Sequence, residues 1–336
     1  MSLSRFKRTN YIRKQVLNSW SKDWFQFILN HLNKNIDFYD LSRNCNITWE
    51  IIQENPFFPW NINGISRNPN ISWEIIQEHS ELKWNWNWIS ENSCITMDII
   101  ENNPEANWDW NHISRNPNLT SQMIKNNMDK NWNWYFVYMN SNISFENLEK
   151  NFFDYTNYYS ISNNSNITFE FISKYPNKIW NWFVISKNRN ITWEIIQNNP
   201  NKPWNWYGIS LNPNINMEIV KSNLDKYWNW NLLLKNSNIT WDDIVNNPFV
   251  SWNLSYFSYN KNITRKIINQ NIYKFNWSAI SCNSFSKERE DFIIKEYRRH
   301  LAAVLIQNAW KNALVNPNCQ VGLNKINKDM DFAGCT

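Results

Sequence analysis

The sequence predicts an all-α fold. It is an α-solenoid of 24-residue repeats, each with two short helices, the first α and the second α or 3-10, flanked by helical N- and C-terminal caps. Three observations carry this. An apolar residue recurs every 24 positions, at Ile47, Ile71, Ile95, Leu119, Ile143, Ile167, Ile191, Ile215, Ile239 and Ile263. Helix-capping residues follow it in register. A second apolar signal, "WNWxxIS", fills the other half of each unit.

Residues 1–46 read as an N-terminal cap carrying a degenerate repeat, in which Trp24, Ile28, Phe38, Leu41 and Ser42 fall near repeat positions. Ten repeats follow over residues 47–286. With the recurring apolar residue as position 1, position 2 is Thr or Ser, whose side-chain oxygen caps a helix by accepting an orphan backbone N–H. Glu at position 4 (Glu50, Glu74, Glu146, Glu170, Glu194, Glu218) meets the positive end of the helix dipole. An apolar pair such as Ile51 and Ile52 comes next. Asn-Pro then stops the helix at Pro56, Pro104, Pro200 and Pro248, because proline disfavours helix in the residue before it.

The second half carries Trp at positions 14 and 16, as in Trp84 and Trp86, and an apolar residue at 19. Positions 16 and 19 are one helical turn apart, which favours a short helix over a strand. Position 22 is Asn throughout: Asn44, Asn68, Asn92, Asn116, Asn140, Asn164, Asn188, Asn212, Asn236 and Asn260. Such constancy beside a drifting position 21 predicts a buried amide ladder that satisfies backbone groups between stacked turns. One unit alone cannot offset the entropy of ordering its own chain, so neighbours must complete each other. The expected result is a curved or superhelical rod with Trp wedged between layers. The last unit is one residue short, with the deletion after Ile268.

Residues 287–316 form a C-terminal helix, either a cap for the last repeat or a partner helix, and 317–336 a polar tail. Within the helix, Ile306, Gln307 and Lys311 in "IQNAWK" resemble an incomplete IQ motif, which implies a calmodulin-like partner. Asn312 and Asn316 stand where that motif carries Gly and a basic residue.

The repeat itself, "NPNITWEIIQxNPxxPWNWxxISxNPNIT", resembles the tryptophan–asparagine repeat proteins of mimivirus-type giant DNA viruses over roughly residues 40–286. The resemblance implies a viral source and brings no activity. The unit is also similar to the leucine-rich-repeat-variant solenoids, which stack 24-residue units of α and 3-10 helices. Those carry Val-Arg where this chain has W-N-W, and the cysteine spacing here matches no iron–sulfur module.

Composition limits the chemistry. With four Gly in 336 residues there is no phosphate-cradling loop, and His31, His79, His112 and His300 have no metal or triad spacing. Cys45, Cys94, Cys282, Cys319 and Cys335 include no C-x-x-C pair, so no cofactor or metal is expected and reduced thiols are. A net charge of +5 with no recurring basic stripe argues against nucleic acid. No apolar run spans a membrane and no secretory signal is visible, which suits a host cytoplasm or a virion. The sequons at Asn46, Asn166, Asn190 and Asn238 recur in register and read as structural. The expected function is a non-catalytic scaffold for an unknown protein partner, the alternative a structural or glycan-binding virion component. Candidate contact residues are the aromatics at varying positions: Trp88, Tyr135, Phe136, Phe152, Phe153, Tyr155, Tyr159, Phe183, Tyr207, Tyr256 and Tyr259. Their rival role is repacking inside degenerate units.

Overall fold

The computed structural model describes residues 3–143 and 157–315, and all regular structure among them is helical. The chain divides into two compact parts, residues 21–287 and a terminal part of residues 1–20 with 288–336.

Within the larger part every described unit repeats one pattern. Thr48 accepts from the Ile51 N–H and opens the helix Trp49–Glu54. Ser72, Thr96, Thr120, Thr168, Thr192, Thr240 and Thr264 do the same in their units, and Asn216 replaces them in its own. The position-9 amide closes the helix from the other end: Asn55 Nδ2 donates to the Ile51 carbonyl at 2.8 Å, and Asn103, Asn127, Asn199 and Asn223 repeat the bond.

W-N-W leads into the second helix, with a role for each of its three residues. The position-14 indole donates to the position-9 carbonyl, as Trp84 does to His79 at 2.8 Å and Trp204 to Asn199 at 2.8 Å. The middle Asn is the N-cap of the second helix: Asn85 opens Trp86–Ser90, and Asn181, Asn205 and Asn229 open theirs. The position-16 Trp starts that helix and packs edge-to-face on the position-14 Trp of the next unit. Trp110–Trp132, Trp182–Trp204 and Trp206–Trp228 all stand at 5.1 Å, a spacing that adds to simple area burial. In one unit the second helix is 3-10, Phe257–Tyr259.

Two buried polar ladders join the units. The position-20 Ser donates to the carbonyl four residues back and accepts the backbone N–H of the next unit's N-cap, as Ser66 does with Ile62 and Asn85. At position 22, Asn212 Oδ1 accepts from the Asn214 N–H, while its Nδ2 donates to the carbonyls of Ser186 and Asn188 in the preceding unit and of Ile191 in its own. The sequon Asn two residues on extends this ladder. Asn190 Nδ2 donates to Ser165 and Ile167, Asn166 to Ser141, Asn46 to Ser284 and Asn238 to Pro213.

The ladder has no end. Asn68 through Asn260 each donate to the carbonyl of the ladder Asn one unit before. Asn283 donates to Asn260, and Asn44 donates to Asn283 and Ser281, 239 and 237 residues away. Residues 21–287 therefore close into a ring of eleven units, and the expected open rod is corrected. The eleventh unit is the degenerate repeat, whose first helix is the last turns of Leu3–Leu29 and whose second is Phe38–Ser42. The joint is aromatic and charged: Phe27 stacks on Trp277 at 6.0 Å, and Arg265 pairs with Asp23 at 2.7 Å. Phe285 takes φ 51°, unusual for a side chain of its size, and is fully buried against Trp24 and Phe27.

The closest-packed helix pairs are all second helices of neighbouring units, Phe38–Ser42 against Trp277–Cys282 included. A ring's inner circumference is the shorter one, so the second helices line the inside. Eleven helices spaced about 9 Å apart trace a circle about 30 Å across, which leaves an opening of roughly 20 Å. The terminal part is also helical, built from the outer stretches of Leu3–Leu29 and Ser286–Val315, with Trp20 on Phe292 at 5.4 Å. The last repeat's edge is taken up by the degenerate repeat.

Candidate functional site

The candidate aromatics separate into two groups once their positions in the ring are known. Position 17, in the first turn of the second helix, is exposed where positions 19 and 20 are buried. It carries Tyr135, Tyr159, Phe183 and Tyr207 in four consecutive units, 37–58% exposed. Tyr259, at position 21 of a later unit, is 46% exposed.

Position 18 differs. Trp88, Phe136 and Tyr256 are half-buried. The Arg67 guanidinium lies 4.5 Å from the Trp88 ring, and the His112 edge meets that ring at 5.5 Å. Arg115 sits 3.5 Å over Phe136, and Lys235 covers both Tyr256 and Tyr259. The same arginines clamp Glu91, whose side chain is nearly buried, at 2.9 and 3.7 Å. Trp88 and Phe136 are thus engaged with neighbouring units as packing and cation–π partners. Phe152, Phe153 and Tyr155 lie outside the described residues. Arg115, Tyr135, Phe136, Met139 and Asn140 do line a shallow open depression between two units.

The titratable groups fit this frame. Asp109 takes the N-cap place that Asn holds elsewhere, accepting from the His112 N–H at 2.8 Å and meeting its ring nitrogen at 2.9 Å. Burial pushes its carboxyl up, but the hydrogen bonds from His112 outweigh this and hold it below the usual range. Burial pushes the Cys94 thiol up to about 12, the opposite of an activated nucleophile. Cys94 and Cys282 are free thiols. Among the described residues no three His, Cys, Asp or Glu side chains gather where a metal could be held.

In the terminal part, Ile306, Gln307 and Lys311 of the IQ-like stretch are exposed on Ser286–Val315, beside exposed Leu305 and Trp310. No helix of the described chain is long and apolar enough to cross a membrane.

Sequence reasoning missed three parts of this machinery. Asn283, the eleventh ladder residue, was displaced from the 24-residue register by the deletion in its unit. The N-cap role of the Asn in W-N-W was hidden by its two bulky neighbours. The exposed apolar loop residues Phe57, Phe249 and Tyr273 had a signal, since each stands at position 11. No protein-family model, curated protein or solved structure matches the chain. Function is therefore argued from the site, because a fold alone does not carry it.

Proposed function

We propose that this protein is a non-catalytic binding ring, a repeat scaffold that engages a protein partner in a giant-virus-infected cell. The observation that carries the reading is the row of Tyr135, Tyr159, Phe183 and Tyr207, one per unit, exposed on the helices that line the inside of the ring. Exposed aromatics in a regular row anchor protein segments well, because they bury much area at little entropic cost. An opening of roughly 20 Å admits a helix or an extended chain. The viral setting rests on the repeat's resemblance alone. The glycan reading is disfavoured by the state of the indoles: the position-14 N–H groups are bonded to backbone carbonyls and their rings pack edge-to-face with other Trp residues.

The test is affinity capture from infected cells with the ring and with its Tyr135→Ala/Tyr159→Ala/Phe183→Ala/Tyr207→Ala variant, read by mass spectrometry. Proteins held by the native ring should be lost from the variant at least about tenfold, as expected when several anchors go at once. Undiminished capture would sink the reading. Mass spectrometry of purified virions separates a role in the cell from a role as a particle component.

A further inference from the structure

Closure of the ring brings together a surface that the linear chain scatters. The link between first and second helix, positions 9–13, falls on one edge of the ring, and the Asn turns fall on the other. Around the joint, five consecutive links present apolar tips: Tyr227 at 82% exposed, Phe249 at 72%, Tyr273 at 88%, Leu32 at 44% and Phe57 at 100%. Tyr273 and Phe57 are more than 200 residues apart in sequence and two units apart in the ring. Leu224 and Val245 stand exposed beside them. The same five links carry Lys226, Lys274 and Lys34 against one acid, Asp225, which is already paired with Lys226 at 2.7 Å. Lys34 reaches over the Tyr273 ring at 4.5 Å, across the joint. The links of the next three units, all described, carry Glu81, Glu105 and Asp129 against Lys83 and Lys130, and no exposed aromatic.

We propose that this arc docks the ring, edge-on, onto an anionic membrane surface. The tips protrude from successive links on one edge, so together they meet a flat surface and not a cleft. Phe and Tyr at such tips enter the headgroup boundary with the phenol kept wet. The three lysines add attraction to acidic lipid. The chain would lie on the surface without crossing it, in keeping with its helices. This edge is distinct from the position-17 row, so the proposal stands apart from the partner reading.

Vesicle flotation tests it, using phosphatidylcholine alone and with about 30% phosphatidylserine, a content that sets an appreciable negative surface potential. The native ring should float with the acidic vesicles and more weakly with the neutral ones. Phe57→Asp/Phe249→Asp/Tyr273→Asp should lower the bound fraction about tenfold or more, since three apolar insertions are lost. Lys34→Ala/Lys226→Ala/Lys274→Ala should bring binding to acidic vesicles down to the neutral level. Ile179→Asp, an exposed residue on the same edge outside the arc, should change nothing. The position-17 alanine variant should still float, which separates this outcome from that of the partner reading. A native ring that floats with neither vesicle overturns the proposal. So does a triple Asp variant that keeps its helical circular dichroism and floats undiminished. Capture of a protein through these tips without vesicle binding would also overturn it, in favour of a protein dock.

Discussion

At the residue scale, the ladder Asn does work that no isosteric residue can do. Asn212 donates to three carbonyls at 2.8–3.0 Å and accepts one N–H. Asn212→Ala leaves these groups unpaired inside the protein, at about 1–3 kcal/mol for each unmade bond, and should lower the denaturant midpoint without changing the slope. Asn212→Asp keeps the shape but sets a carboxylate among carbonyl oxygens, which raises its pKa in the folded state. A raised folded pKa means stability that is present below the unfolded value and lost as pH rises through the folded one. The Asp variant should thus melt higher at pH 5 than at pH 8, while the Ala variant shows no such recovery. Equal behaviour of the two would mean that the amide donates nothing of consequence.

At the element scale, each second helix is fixed by W-N-W before it and by close backbone contact beside it. Trp204 holds its indole bond to Asn199, its edge contact with Trp182 and a further contact with Phe169 at 5.9 Å. Trp204 is half-buried, so Trp204→Ala should cost about 1–3 kcal/mol in equilibrium unfolding, below the range for a fully buried Trp. A loss under about 1 kcal/mol, the level of an ordinary surface change, would contradict this packing. Gly208 shows the opposite limit. A Cβ there would stand 2.3 Å from the Phe183 carbonyl oxygen and 2.8 Å from the Ser186 Cβ. Gly208→Ala should therefore destabilise by about 1–3 kcal/mol through overpacking, although alanine is the better helix former. A stabilised variant would show that neighbouring second helices can part at little cost.

At the scale of the whole molecule, closure replaces two exposed repeat edges with one more interface. An open array frays from its ends, because its terminal units have one neighbour each. A closed ring has no such units. Backbone amides near Asn44–Ile47 and Ser281–Phe285 should exchange with deuterium no faster than those near Asn212–Ile215, when followed by mass spectrometry. Early exchange confined to the joint would mean that the ring opens there. The joint depends on particular residues: the shortened last repeat, the left-handed turn at Phe285, the Phe27–Trp277 stack and the Arg265–Asp23 pair. None belongs to the repeat consensus.

The sequence by itself determined the unit. Period, cap chemistry and apolar spacing are local properties, so Thr48, Ile51, Trp84 and the Asn at position 22 were legible without coordinates. The candidate surface was legible only in part. Exposed Tyr207 and cation-covered Trp88 occupy adjacent repeat positions, and what tells them apart is whether Arg67 of another unit reaches the ring. Closure was decided by the tertiary structure alone. The curvature of a repeat array comes from a small rotation per unit, set by how near the second helices approach relative to the first. Summed over eleven units, that rotation brings Asn44 to Asn283. No local pattern encodes such a sum, and the arc of Tyr227, Phe249, Tyr273, Leu32 and Phe57 exists only because it completes a circle.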